Sequence, residues 1–85
     1  MREVEIGYEY KLRFTVQHRL RLESFVRALR AAAPVAHSWP AYDAEVQEDG
    51  VYFLDNGRSE ASSVALRRLI DEALAQGPSV VVEEV

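Results

Sequence analysis

The chain has 85 residues, 48% hydrophobic and 28% charged, with no Cys. That is enough for one core, since a second domain would need roughly 50 residues more, and the missing Cys excludes thiol catalysis, thiolate metal sites and disulfide stapling. The net charge of −4 is uneven: residues 1–42 carry seven Lys and Arg against four Glu, and residues 43–85 carry three Arg against ten Asp and Glu.

The first segment alternates strictly. Val4, Ile6, Tyr8, Tyr10, Leu12, Phe14 and Val16 take the even positions, while Glu3, Glu5, Glu9, Lys11 and Arg13 fall on odd ones. A period of two predicts a long strand with one apolar face and one wet face, in an antiparallel sheet. Gly7 marks a bulge or bend within it.

Over residues 17–33 the period becomes helical. Leu22, Phe25, Val26, Leu29, Ala32 and Ala33 form the inner stripe, and Arg19, Glu23, Arg27 and Arg30 the outer one. Glu23 is spaced to pair with both Arg19 and Arg27. Leu20 points outward, no strong cap fixes the start, and Pro34 ends the helix.

After a connection over residues 34–41, Tyr42, Ala44 and Val46 alternate with Asp43, Glu45 and Gln47 as a second strand. Asp49-Gly50 predicts a tight hairpin turn into a third strand, Val51, Tyr52, Phe53 and Leu54. In that register Val46 faces Phe53, Val51 and Phe53 point to the core, and Tyr52 and Leu54 lie on the outer face; a bulge would exchange these sets.

Ser59 or its neighbours are placed to cap a second helix, with Glu60 in its first turn. Ser62, Leu66, Leu69, Ile70 and Ala73 form its inner stripe, and Arg67, Arg68, Asp71 and Glu72 face outward. Gly77, as a left-handed terminating residue, and Pro78 stop it, and Val80, Val81 and Val82 begin the last strand.

The order of strand, helix, strand, strand, helix, strand predicts an α+β fold: a ferredoxin-like split βαβ sandwich (βαββαβ). Its four-stranded antiparallel sheet would run in the order 4-1-3-2, with both helices on one face and a single domain over residues 1–85. The architecture hosts many unrelated functions.

No catalytic motif is legible. His18 and His37 have no second ligand at metal-binding spacing, so no metal or cofactor is expected. Ser38, His37 and Asp43 carry no nucleophile-elbow pattern, and the carboxylate pair Asp43 and Glu45 reads as a solvated strand face. The turn over residues 55–59 is a weak candidate for holding an anion, opposed by Asp55 and Glu60. Asp49 and Asn56 stand where an RNA-binding sheet would place a basic residue and an aromatic, and the helix arginines diverge, so no nucleic acid partner is expected.

The longest apolar run, Val51 to Leu54, has four residues, against about 20 needed to span a bilayer. The charged start over residues 1–5 does not resemble a signal peptide, which points to a cytoplasmic protein without a membrane partner.

Two features suggest contact with other proteins. His37, Trp39 and Tyr42 bring a Trp, a Tyr and a His into one connection, suited to anchor a partner or to line a small-molecule or enzymatic pocket. Val80, Val81 and Val82 form an edge strand with no charge to guard it, whereas Asp43, Glu45, Gln47 and Glu48 guard the other edge. The expectation is a non-enzymatic interaction or regulatory domain that forms a homodimer, two last strands pairing antiparallel about Val81, with Tyr52 and Leu54 as an alternative interface.

Overall fold

The computed structural model describes residues 7–36 and 38–85. Eight elements follow along the chain: β1 (Gly7–Arg13), α1 (Arg19–Ala31), β2 (Val35–Ala36), β3 (Trp39–Pro40), β4 (Tyr42–Gln47), β5 (Gly50–Asn56), α2 (Glu60–Gln76) and β6 (Val81–Glu84). The fold is α+β, with a four-stranded antiparallel sheet in the order β4-β5-β1-β6 and a separate two-stranded ribbon of β2 and β3.

The expected six-element βαββαβ order, with a sheet ordered 4-1-3-2, does not match this element for element. The connection over residues 34–41 is not plain loop. Val35 pairs with Pro40 and Ala36 with Trp39, and Ser38 holds a left-handed φ of 69°. No hydrophobic alternation announces so short a ribbon, which is why periodicity missed it. Val4 and Ile6 of the long first strand lie outside the described residues.

The core follows from the alternation. Leu12, Ala44, Val51 and Phe53 share the inner face with Tyr42, and Leu22, Val26 and Leu29 of α1 with Ala65, Leu69 and Ala73 of α2 close over them. Burying one such Leu or Phe stabilises the fold by about 1.5–3 kcal/mol. Both helices therefore cover one face, leaving Glu9, Lys11, Arg13, Tyr52 and Leu54 on the other. Tyr42 stacks on Phe53 with ring centroids 5.8 Å apart.

The hairpin register differs from expectation. Its two loop residues are Glu48 and Asp49, so Gln47 pairs with Gly50, Val46 with Val51 and Ala44 with Phe53. The strands are shifted by one residue each, which preserves parity, so Val51 and Phe53 still face inward. Gly50 is needed for a different reason from a turn. At φ 153° it passes so close to β1 that an added Cβ would collide with the Leu12 carbonyl.

One end of α2 also differs. Gly77 is extended, with φ −143° and ψ 171°, and lies against Thr15, so it does not terminate α2 in the left-handed manner. Ser59 does cap α2, its Oγ accepting the Ser62 N–H at 3.2 Å. The buried face of α2 is turned toward α1 relative to the expected stripe, so Glu72 and Gln76 are buried while Leu66 and Ile70 are only half-buried.

Candidate functional site

The open boundaries of the sheet are β4 and β6, and they are finished differently. In β4 the pairs Gln47–Gly50, Glu45–Tyr52 and Asp43–Leu54 face one another across a two-residue turn. Such a turn makes the closing pair hydrogen-bonded, and bonded pairs then alternate, so the backbone groups of Tyr42, Ala44 and Val46 point to the open side. The Ala44 N–H is already taken there, donating to Asp43 Oδ1 at 2.8 Å. The same oxygen accepts from Arg30 Nε at 2.6 Å. At the far end Arg19 donates to the Gln47 and Glu48 carbonyls at 3.3 and 3.1 Å. The arginines expected to pair with Glu23 on their own helix thus include one that seals the end of a strand.

Among the described residues, β6 has no comparable cover. All four of its residues are exposed, Val81 at 54% and Val82 at 40%. It pairs with β1 through Tyr10–Glu84, Lys11–Glu83, Leu12–Val82 and Arg13–Val81, and the Val85 N–H extends the ladder to the Glu9 carbonyl at 2.8 Å. Val80 is half-buried against the core, and Val82 lies on the same inner face as its neighbour Leu12. Glu83, on the outer face, pairs with Arg13 at 3.3 Å.

The two described loop residues differ in exposure. The Tyr42 hydroxyl is buried and donates to the Leu29 carbonyl at 2.8 Å; burial pushes its pKa above 10, opposed in part by the charge of Arg68. Trp39 is 58% exposed, and His37 lies outside the described residues. The cleft of about 320 Å³ beside Tyr42 is lined by Arg27, Arg30, Ala31, Pro40 and Asp43, without Trp39.

The outer-face pair Tyr52 and Leu54 lines a second cleft, of about 290 Å³, with Arg30, Asp43 and Glu45. Burial and then the neighbouring Glu9 carboxylate, with Glu45 adding its charge, push Tyr52 up to about 12.

The turn over residues 55–59 supplies its own anion. Asp55 is buried, and its Oδ1 accepts the Arg58 N–H at 2.8 Å, while Gly57 and Arg58 take φ values of 103° and 56°. The Arg58 guanidinium sits 4.1 Å above the Tyr8 ring. An external phosphate would have to displace a carboxylate built into the chain.

Three polar residues proved more deeply placed than their patterning implied. Lys11, expected on a solvated face, is buried and reaches across β5 to Gln47 Oε1 and to Asp49 Oδ1, the latter at 2.6 Å. That hydrogen bond lowers the Asp49 pKa below the ordinary carboxylate value. Glu72 is buried, and its two oxygens accept from Arg21 Nη2 and Nε at 3.0 Å each. Gln76 donates to Glu72 at 2.9 Å and accepts the Gln17 and His18 N–H groups at 3.1 Å each. Gln76 thereby supplies the cap that α1 lacks in its own sequence. Its spacing from Glu72, one helical turn, was the only local signal.

Comparison with known proteins identifies no relative: no family model, curated protein or solved structure matches the chain. Among the described residues no three His, Asp or Glu side chains converge as a metal site would require, and no described helix is long and apolar enough to cross a membrane.

Proposed function

We propose that this chain is a non-enzymatic interaction or regulatory domain that works by self-association through β6. The observation that carries the reading is the contrast between the edges. β4 is blunted by Asp43, Arg30 and Arg19, while β6 offers exposed valines on a strand edge that no described residue pairs with or covers. An unprotected edge recruits another strand, because each new backbone hydrogen bond is made without ordering fresh chain. A ferredoxin-like reading of the fold is supported by treating β2 and β3 as an insertion in the first crossover. Four strands and two helices then remain in the order strand, helix, hairpin, helix, strand, with the last strand beside the first.

Sedimentation velocity or light scattering over a wide concentration range tests the reading. A concentration-dependent dimer is expected, and a monomer at every concentration would overturn it.

A further inference from the structure

We infer that the second copy docks in one register, with Val82 opposite Val82 of its partner, and that it closes a second layer against the flank of α2. This rests on the self-association reading above.

The register follows from the ladder. The Val85 N–H donates to the Glu9 carbonyl, so Glu9 and Val85 form a bonded pair. Bonded and non-bonded pairs alternate along an antiparallel ladder. Lys11–Glu83 and Arg13–Val81 are then the bonded pairs, and Val82 and Glu84 aim their N–H and C=O away from β1, as does Val80 by the same parity. A partner strand must match these even positions to even positions.

Pairing about Val82 joins Val82 to its copy and Val80 to Glu84 of the other chain, giving about six backbone hydrogen bonds within residues 80–84. Pairing about Val81, the register expected from side-chain pattern alone, joins only Val80 to Val82, giving about four. Pairing about Glu83 sets carboxylate against carboxylate, which is destabilising. Val82 is the centre with the most bonds and no like charges opposed.

The helix layer follows from symmetry. Two antiparallel edge strands in one sheet are related by an axis perpendicular to it, which leaves the helices of both copies on the same face. In α2, Glu72 and Arg68 are turned toward α1, where they meet Arg21 and lie over Phe25. α1 packs against β4 at the other end of the sheet, so the opposite flank of α2, with Leu66, Ile70 and Leu74 at four-residue steps, is the one turned toward the β6 end, Leu74 being 48% exposed. Edge pairing therefore brings these two flanks toward one another above the inner-face residues Val80 and Val82, and Ile70 and Leu74 of both copies line the space between them.

Because the chain has no Cys, single cysteines report the register cleanly. About Val82, the two Val82 Cα atoms stand about 5.5 Å apart, within disulfide reach, and the two Val81 Cα atoms about 8 Å apart, beyond it. With diamide as oxidant, Val82→Cys is expected to form covalent dimer at least tenfold faster than Val81→Cys. If the unmodified chain dimerises but Val81→Cys is the faster, the register is overturned and self-association stands. If the unmodified chain never dimerises, the proposed function itself is overturned. Leu74→Glu, at a half-exposed site, is expected to weaken the dimer at least tenfold with unchanged circular dichroism of the monomer. An unchanged dimer affinity would overturn the helix layer.

Discussion

At the β4 edge an outward amide is satisfied within its own strand by Asp43, and that carboxylate is held in turn by Arg30. At the β6 edge no described residue covers the outward groups of Val82 and Glu84, and the charged pair of Arg13 with Glu83 lies on the sheet face rather than along the rim. Both strands belong to one sheet and share one core, so the difference is chemical and not architectural. An edge is closed by placing a short acceptor next to its own free donor, and it stays available when the neighbouring side chains are aliphatic.

The comparison breaks first if the shared core gives way. Leu69→Ala removes a side chain with no exposed surface from the centre of that core and should cost about 2–5 kcal/mol. Chemical denaturation below the dimerisation range measures it; a cost under about 1 kcal/mol would show that the core does not join the two edges.

Proline sharpens the comparison next. Val82→Pro deletes a donor on the open side, so it should weaken dimerisation at least a hundredfold, about 2.7 kcal/mol, while leaving the β1 ladder intact. Val81→Pro instead removes the bonded partner of Arg13 and should loosen β6 within the monomer. Hydrogen exchange at the Arg13 and Glu83 amides, both in the β1–β6 ladder, distinguishes the two variants.

Removing the guard is the converse test. Asp43→Val frees the Ala44 amide and unpairs Arg30, so β4 should gain the ability to recruit strands, and assemblies larger than a dimer should appear in light scattering. A species distribution identical to that of the unmodified chain would mean that β4 is closed by something other than this carboxylate.

The smallest expected effect is pH dependence on the outer face. Tyr52 ionises near pH 12 when folded, against 10.0 ordinarily. A raised folded pKa contributes stability that is fully present below pH 10 and is lost as pH rises toward 12. Tyr52→Phe should flatten the alkaline fall of the denaturation midpoint in that window. At the acid end Asp49, lowered chiefly by its hydrogen bond from Lys11, adds stability above its unfolded pKa that is lost as pH falls through its folded one.

The four strands of the main sheet, both helices and the inner positions of Leu12, Leu29 and Leu69 were legible because alternation and helical periodicity report directly which side chains avoid water. The hairpin faces were legible as well, since shifting both strands by one residue left parity unchanged. Glu72, Gln76 and Lys11 were not legible. A charged or amide side chain reads as solvated unless its partner is known, and here the partners lie far along the chain: Arg21 for Glu72, the His18 backbone for Gln76 and Asp49 for Lys11. The unguarded character of Val80, Val81 and Val82 could be read from composition. Which of their amides face outward could not, because that depends on the bonded parity with β1.

Gln76 ties the end of one helix to the beginning of the other across most of the chain, and this sets an order of events in folding. Neither the Gln17 nor the His18 amide has a local partner to hold it, so the first turn of α1 should fray until α2 has formed and docked. A contact at such sequence separation forms only after loop closure has been completed. Once made, it should convert a helix start, ordinarily among the fastest exchanging sites in a protein, into one that opens only with global unfolding. Gln76→Ala would return those amides to rapid exchange while the β1–β5 ladder remained protected.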